Sequence, residues 1–385
     1  MLDDIRLDDP ITPPFPFLYC KTPDTFPFET AVRRWPSILT SVVNDVYKTL
    51  GDGSDPRTRQ AKDIIAEVGK LRHEVMRDMT LRSIEDDGDV DVKLWNEVLE
   101  HWWQDPADRT FFKAPWLFAE CYLYRRVREI FAKRSNPDPA LDWGSYDPFA
   151  SQKDATLKAS LQSFAVMAEK LEFLLAQAQS DDIGAHETTF QELLMSSLWG
   201  NQVDLSLHSN TSAHGMQEDT RAHLEKMKEK IIVDDSRILW KLLLSSPRGK
   251  TVDIILDNAG FELLTDLLLA HFLIATKVCA RVRFFGKAQP WFVSDTTRRD
   301  FLHTCATLSG LDAHSAESNP AVSSIAHTWS LWIAEGTWEF HAPLLFTTPY
   351  SYWHLKTANP GLYRLCFNRT PYVRTPADTF YTVPF

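Results

Sequence analysis

The chain has 385 residues, 44% of them hydrophobic and 24% charged, the balance of a soluble globular protein with length for one large or two ordinary cores. Its formal net charge of -11 argues against nucleic acid as a general partner, since phosphate backbones select basic surfaces. An anionic small molecule bound here needs local positive charge against that acidic background.

The N-terminus, Met1-Leu2-Asp3-Asp4-Ile5-Arg6, lacks the basic, apolar and small-residue order of a secretory signal. The first half then reads as helix. Ile64, Val68, Leu71, Val75 and Met79 recur at helical spacing, and so do Leu157, Leu161, Phe164, Leu171 and Leu174. Between these stretches, Glu85-Asp86-Asp87-Gly88-Asp89-Val90-Asp91 is expected to be a solvated loop without function. Glu120, Arg125 and Arg126 lie on an aromatic-rich helical segment and are expected to make a structural ion pair. Asn136-Pro137-Asp138-Pro139 and Ser180-Asp181-Asp182-Ile183-Gly184 mark turns. Asn201 and Asp204 follow a helix, where two readings stand: side chains that reach a site, or a hydrogen-bonded turn.

From about residue 228 the pattern changes. Ile231-Ile232-Val233, Val252 to Leu256 and Cys279 to Phe285 read as short buried strands, with Phe261 to Thr276 as the helix joining the last two. A strand-helix-strand unit of this length implies a parallel sheet. The expected fold class is α/β: a mainly helical region over 1–227, a Rossmann-like α/β core over 228–363 with a mostly parallel sheet, and a divergent tail over 364–385. The most apolar run, Phe261 to Val278, is interrupted by Glu262, Asp266, His271 and Lys277, so no segment reaches the ~20 apolar residues of a membrane span. Cys20, Cys121, Cys279, Cys305 and Cys366 show no CxxC spacing, which fits reduced thiols in the cytoplasm, with the nucleus as a second compartment.

Two strings carry the chemistry. Asp257-Asn258 closes the run Val252 to Leu256 just before a helix, and Pro290-Trp291-Phe292-Val293-Ser294-Asp295 ends another apolar run on a carboxylate, which puts Asp295 at the end of a neighbouring strand. Carboxylate and amide oxygens at strand ends lie where open α/β sheets put ligands, and they suit a hard divalent cation such as Mg²⁺ or Mn²⁺. The alternative is that Asp257 and Asn258 only cap the helix. Glu262, one turn beyond Asn258, either orders a metal-bound water or a sugar hydroxyl, or complements the helix dipole. Ser245 to Thr251 ends in Gly-Lys-Thr, yet Leu244 stands where a P-loop needs its first glycine and the string precedes a strand, so it is rejected.

The same residues carry a family likeness. Leu256-Asp257-Asn258-Ala259-Gly260-Phe261-Glu262 and Lys287-Ala288-Gln289-Pro290-Trp291-Phe292-Val293-Ser294-Asp295 are joined by Ser197 to Ser206, Ala114 to Arg126 and Thr347 to Trp353. With these five blocks in order, the chain resembles the DUF89 family of metal-dependent damage-control phosphatases over roughly residues 10–363. Its nearest likeness is to the eukaryotic branch, also described as acidic-residue (protein-glutamate) methyltransferases. The resemblance implies Asp257, Asn258 and Asp295 as ligands of one Mn or Mg ion, with Ni or Co as further candidates. It implies Asp257 and Glu262 as catalytic groups, and Asp257, Asn258, Asn201, Asp204 and Lys287 as substrate contacts. The implied partner is a small phosphorylated metabolite, a fructose-1-phosphate or fructose-6-phosphate type of sugar, attacked by water or by Asp257 itself. The methyltransferase description would instead bring Glu262 and Asp295 against S-adenosylmethionine, a reaction that needs no hard metal ion. A catalytically dead metal-binding protein is the third reading.

Beyond Tyr363 the likeness stops. The family continues with a Lys-Gly-Asp-Leu-Asn-Tyr-Arg-Lys block and an Arg-Thr-x-Lys motif, both of which contact substrate. Here Arg374-Thr375-Pro376-Ala377 has alanine in the lysine position, and Pro371, Pro376 and Pro384 disfavour regular structure. The expectation is a sheet incomplete at its C-terminal edge and a phosphate site that has lost its main cations, with Lys287, Arg298 and Arg299 as the nearby substitutes.

Overall fold

The structure is a computed structural model that describes residues 17–51, 55–103, 105–177, 186–200, 231–246, 249–310, 319–350, 354–367 and 372–374. Helices come first, as the apolar spacing predicts. α1 (Phe26–Glu29), α2 (Trp35–Tyr47), α3 (Pro56–Met76), α4 (Val92–Trp102) and α5 (Trp116–Ala132) share a core that includes Trp35, Leu39, Ile64, Val68, Trp95 and Phe118. Local chemistry sets their ends: Asp55 accepts the Thr58 N–H at 3.0 Å to cap α3, and Pro56 supplies the preset φ of its first turn. α6 (Ala150–Gln177), α7 (Glu187–Leu198) and α8 (Ser236–Ser245) then lead to the sheet.

The strands β1 (Thr251–Ile255), β2 (Arg281–Phe285), β3 (Trp338–His341) and β4 (Tyr372–Arg374) form one parallel sheet in the order β3-β2-β1-β4. α9 (Phe261–Ala275) crosses from β1 to β2, and α10 (Arg298–Ser309) with α11 (Pro320–Ala334) crosses from β2 to β3. α12 (Leu355–Ala358) and α13 (Pro360–Phe367) precede β4. This is the α/β architecture expected from the sequence. Side chains alternate across the strands. Val252, Ile254, Val282 and Phe284 join a core with α6, α7, α9 and α11, whereas Ile255 and Phe285 join the core of the first five helices. Burial on both faces explains why the strands are near-continuous apolar runs. The chain works outward from β1 to β3 and returns to the other side of β1 with β4. The carboxyl end of β1 is therefore the point where strand order reverses, the usual ligand position in such sheets.

Three local expectations need correction. Ile231-Ile232-Val233 is not a strand, and Ile232 is 99% exposed. Strand propensity expresses fit to a pleated, half-buried surface, and among the described residues no strand pairs with this segment. The acidic loop is not solvated throughout. Arg125 of α5 donates to Asp87 at 2.7 Å and to Asp91 at 2.9 Å, and all three side chains are buried. A guanidinium that reaches two carboxylates offsets part of their desolvation, and burial still pushes the Asp91 carboxyl above its ordinary range against the Arg125 charge. Glu120, Arg125 and Arg126 do form ion pairs, but with Arg34, with Asp87 and Asp91, and with Glu74 and Glu129 respectively. Finally, the tail adds a strand, since Tyr372–Arg374 pairs in parallel with Asp253 to Ile255.

Candidate active site

β1 ends at Ile255, and Leu256 N–H still donates to Phe285 O at 2.9 Å, so the two strands stay paired up to Asp257. Gly260 then turns the chain into α9 with φ +86°, a left-handed value open to glycine. A Cβ there would also lie 2.6 Å from Thr156 Cγ2, so residue 260 is bare for steric reasons as well. Asn258, Glu262 and Asp266 follow at four-residue intervals and therefore share one face as the helix begins. Asn258 Nδ2 donates to Glu262 Oε2 at 3.0 Å, and Ser294 Oγ donates to Asn258 Oδ1 at 2.5 Å. Those two bonds fix which way the Asn258 amide faces.

Asp295 arrives by a route that differs from the sequence expectation. It does not end a strand: the chain from Trp291 to Asp295 is a turn. Phe292 and Val293 adopt φ +43° and +70°, and a β-branched residue there is strained. The turn delivers Ser294 to Thr297 between the extensions of β1 and β2. Ala259 N–H donates to Ser294 O at 2.7 Å, Thr296 N–H to Asp257 O at 2.7 Å, and Lys287 N–H to Thr296 O at 2.9 Å. Asn258 and Asp295 form an antiparallel bridge, and Lys287 and Thr297 a parallel one. Through this clamp Asp257, Asn258, Asp295, Glu262 and Lys287 meet at one place, all buried. Arg299 lies away from them, committed to Asp154 at 2.8 Å and Asp300 at 3.1 Å. Asn201 and Asp204 lie outside the described residues. Gly200 packs on the site helix, where a Cβ would come 2.7 Å from Glu262 Cα.

Asp257, Glu262, Asp266 and Asp295 are all buried, with the Lys287 ammonium 3.3 Å from Asp295 Oδ2 and the Lys153 ammonium 3.4 Å from the Asp295 carbonyl. Burial, with the Asp257 charge adding to it, pushes the Asp266 carboxyl up to about 8, against the hydrogen bond it accepts from Ser197. Burial likewise raises Glu120 of α5 to about 7; Arg34 opposes that shift and Asp295 reinforces it. Two carboxylates with an amide oxygen are hard donors of the kind a divalent ion takes. Among the described residues no group of three or more His, Cys, Asp or Glu could hold a metal ion.

Sequence reasoning missed two residues here. Asp266 sits eight residues beyond Asn258, and that helical interval was the available signal. Lys153, near the start of α6, is buried and reaches Asp300 Oδ2 at 2.5 Å, Asp147 Oδ2 at 2.7 Å and the Asp295 carbonyl at 3.4 Å. It comes 142 residues before Asp295, and no local pattern marks it.

Residues 30–368 match the family model described as Damage-control phosphatase ARMT1-like domain. The chain is 32% identical over 364 residues to damage-control phosphatase ARMT1 of Danio rerio, covering 90% of this chain and 77% of that protein. The namesake from Homo sapiens is 31% identical over 353 residues, covering 88% and 77%. That from Mus musculus is 33% identical over 369 residues, covering 90% and 79%. A crystal structure of a DUF89 family protein from Pyrococcus horikoshii aligns with a TM-score of 0.36 at 15% identity, over 71% of this chain and 68% of that one, a likeness too slight to bear on the fold. With Asp257, Asn258 and Asp295 inside the matched span, this chain is a hydrolase-class enzyme that belongs to the damage-control phosphatase ARMT1-like family.

Proposed function

We propose that the chain hydrolyses small sugar phosphates of the fructose-1-phosphate or fructose-6-phosphate type, with one divalent ion, Mn or Mg, held by Asp257, Asn258 and Asp295. The observation that carries this reading is that two buried carboxylates and an oriented amide stand on the backbone clamp at the sheet's reversal point. When bound, such an ion neutralises phosphoryl oxygens and makes water a better nucleophile. The chain's own groups do the rest. Glu262 holds Asn258 Nδ2, and Ser294 donates to Oδ1 on the other side of the amide, which leaves Oδ1 one further lone pair. Lys287 brings a second positive charge beside Asp295, and the N-terminus of α9 offers N–H groups to an anion. Asp257, and Glu262 within one turn of it, are the groups placed to act at the reacting phosphate, by direct attack or by orienting water. Asn201 and Asp204 belong to the same proposal as contacts to sugar hydroxyls. The substrate is a free metabolite, and the cytoplasm is the proposed compartment.

Phosphate release from fructose phosphates, measured with Mn²⁺ and with a chelator, tests the reading. Activity should need the ion and fall at least ~100-fold in Asp257→Ala, the scale on which losing one charge-stabilising contact acts. Transfer of a methyl group from S-adenosylmethionine to glutamate that survives the chelator and requires Glu262 would overturn it.

A further inference from the structure

A cleft of about 360 Å³ opens between the Asp89-Val90-Asp91 segment and the N-terminus of α10, a volume suited to a small metabolite. Neither Asp257 nor Asp295 lines it. The carboxylates that do are already held by cations: Asp89 by Arg128, Asp91 by Arg125 and Asp147 by Lys153. Arg299 is held by Asp154 and Asp300. Arg298 differs. Among the described residues no carboxylate lies within ion-pair distance of it, and its guanidinium rests 5.9 Å from the centre of the Phe340 ring.

Gln289 forms part of the same wall and is only 8% exposed, yet its buried Nε2 has no hydrogen-bond partner among the described residues. Leaving a buried donor unmade costs about 1–3 kcal/mol, so a retained carboxamide at a cleft wall points to a ligand that completes it. The helix end adds a third feature. The capping box of α10 uses the N–H groups of Thr297 and Asp300, which leaves those of Arg298 and Arg299 at the positive end of the helix dipole.

We propose that this cleft binds the phosphate group of a small phosphorylated metabolite on the Arg298 guanidinium, the Gln289 carboxamide and the first N–H groups of α10. Three donor sets lining one cleft suit a tetrahedral oxyanion better than a planar carboxylate. The site is separate from the one at Asp257 and stands whether or not that one holds a metal.

Calorimetric titration of the full chain with inorganic phosphate, in excess chelator, tests the proposal. The wild type should bind saturably, with affinity reduced about tenfold or more in Arg298→Ala and about threefold in Gln289→Leu, as loss of charged and neutral hydrogen bonds dictates. Asp257→Ala should bind as the wild type does. Glucose 6-phosphate should bind with the same dependence on Arg298, and glucose should not compete. Absence of saturable binding, unchanged affinity in Arg298→Ala, loss of binding in Asp257→Ala, or tighter binding of citrate than of phosphate would each overturn it.

Discussion

Replacing Lys153 with methionine should destabilise the protein more than any ordinary surface change, because one ammonium serves three acceptors from distant parts of the chain. Its removal takes from buried Asp147 the cation that holds it and leaves buried Asp300 with the Arg299 cation alone, at 3.1 Å. Breaking a buried pair by removing one partner costs about 3–5 kcal/mol. Both acids keep other donors: Phe149 N–H at 2.8 Å for Asp147, and Thr297 N–H at 2.9 Å for Asp300. The loss should therefore fall near the lower bound, about 3 kcal/mol. Urea unfolding followed by tryptophan fluorescence measures it. The triple variant Lys153→Met, Asp147→Asn, Asp300→Asn removes the uncompensated charge and should regain at least half of the loss. A Lys153→Met protein within 1 kcal/mol of wild type (about fivefold in the folding constant) would refute the reasoning, as would a triple variant no more stable than the single one.

Two further outcomes follow from the same geometry. Gly260→Ala should cost about 2 kcal/mol or more, since alanine meets both the left-handed φ and Thr156; pairing it with Thr156→Ala should recover only the steric part, and a loss below about 0.5 kcal/mol would show that the backbone relaxes freely. His271, buried in α9 where Nδ1 accepts the Trp329 indole N–H at 3.1 Å, has its pKa pushed down by burial to about 4. The unfolded chain then binds the proton more readily, so stability is present above the ordinary pKa and is lost as pH falls from about 6.5 toward 4; unfolding at pH 5 should show about 2 kcal/mol less stability than at pH 7 from this group, and His271→Gln should remove that share of the slope.

The β1-α9-β2 unit was readable because short apolar runs, a helix of the right length and Asp257-Asn258 at the junction all point to one topology. The place of Asp257 and Asn258, directly after β1 and before α9, was legible from the same junction. Asp295 was found by residue type but misplaced as a strand end: left-handed backbone at Phe292 and Val293 opposes local propensity, and a sequence pattern cannot show strain that the surrounding clamp imposes. The acidic loop failed for a related reason. Whether a carboxylate is solvated or buried depends on a partner elsewhere, and Arg125 lies 38 residues from Asp87. Lys153 is the extreme case, with its acceptors spread over two loops and a helix cap. The three-residue β4 escaped notice because its pairing comes from a free sheet edge and not from its own composition.

Mn²⁺ titration by calorimetry of the wild type, Asp257→Ala, Asp295→Ala and Arg299→Ala bears most directly on the proposed centre. The wild type and Arg299→Ala should each bind one ion per chain, with affinity reduced about tenfold or more in each Asp variant, because a hard ion stripped of one anionic ligand competes poorly with water. Equal affinity in all four proteins would move the ion away from Asp257, Asn258 and Asp295 and contradict the account.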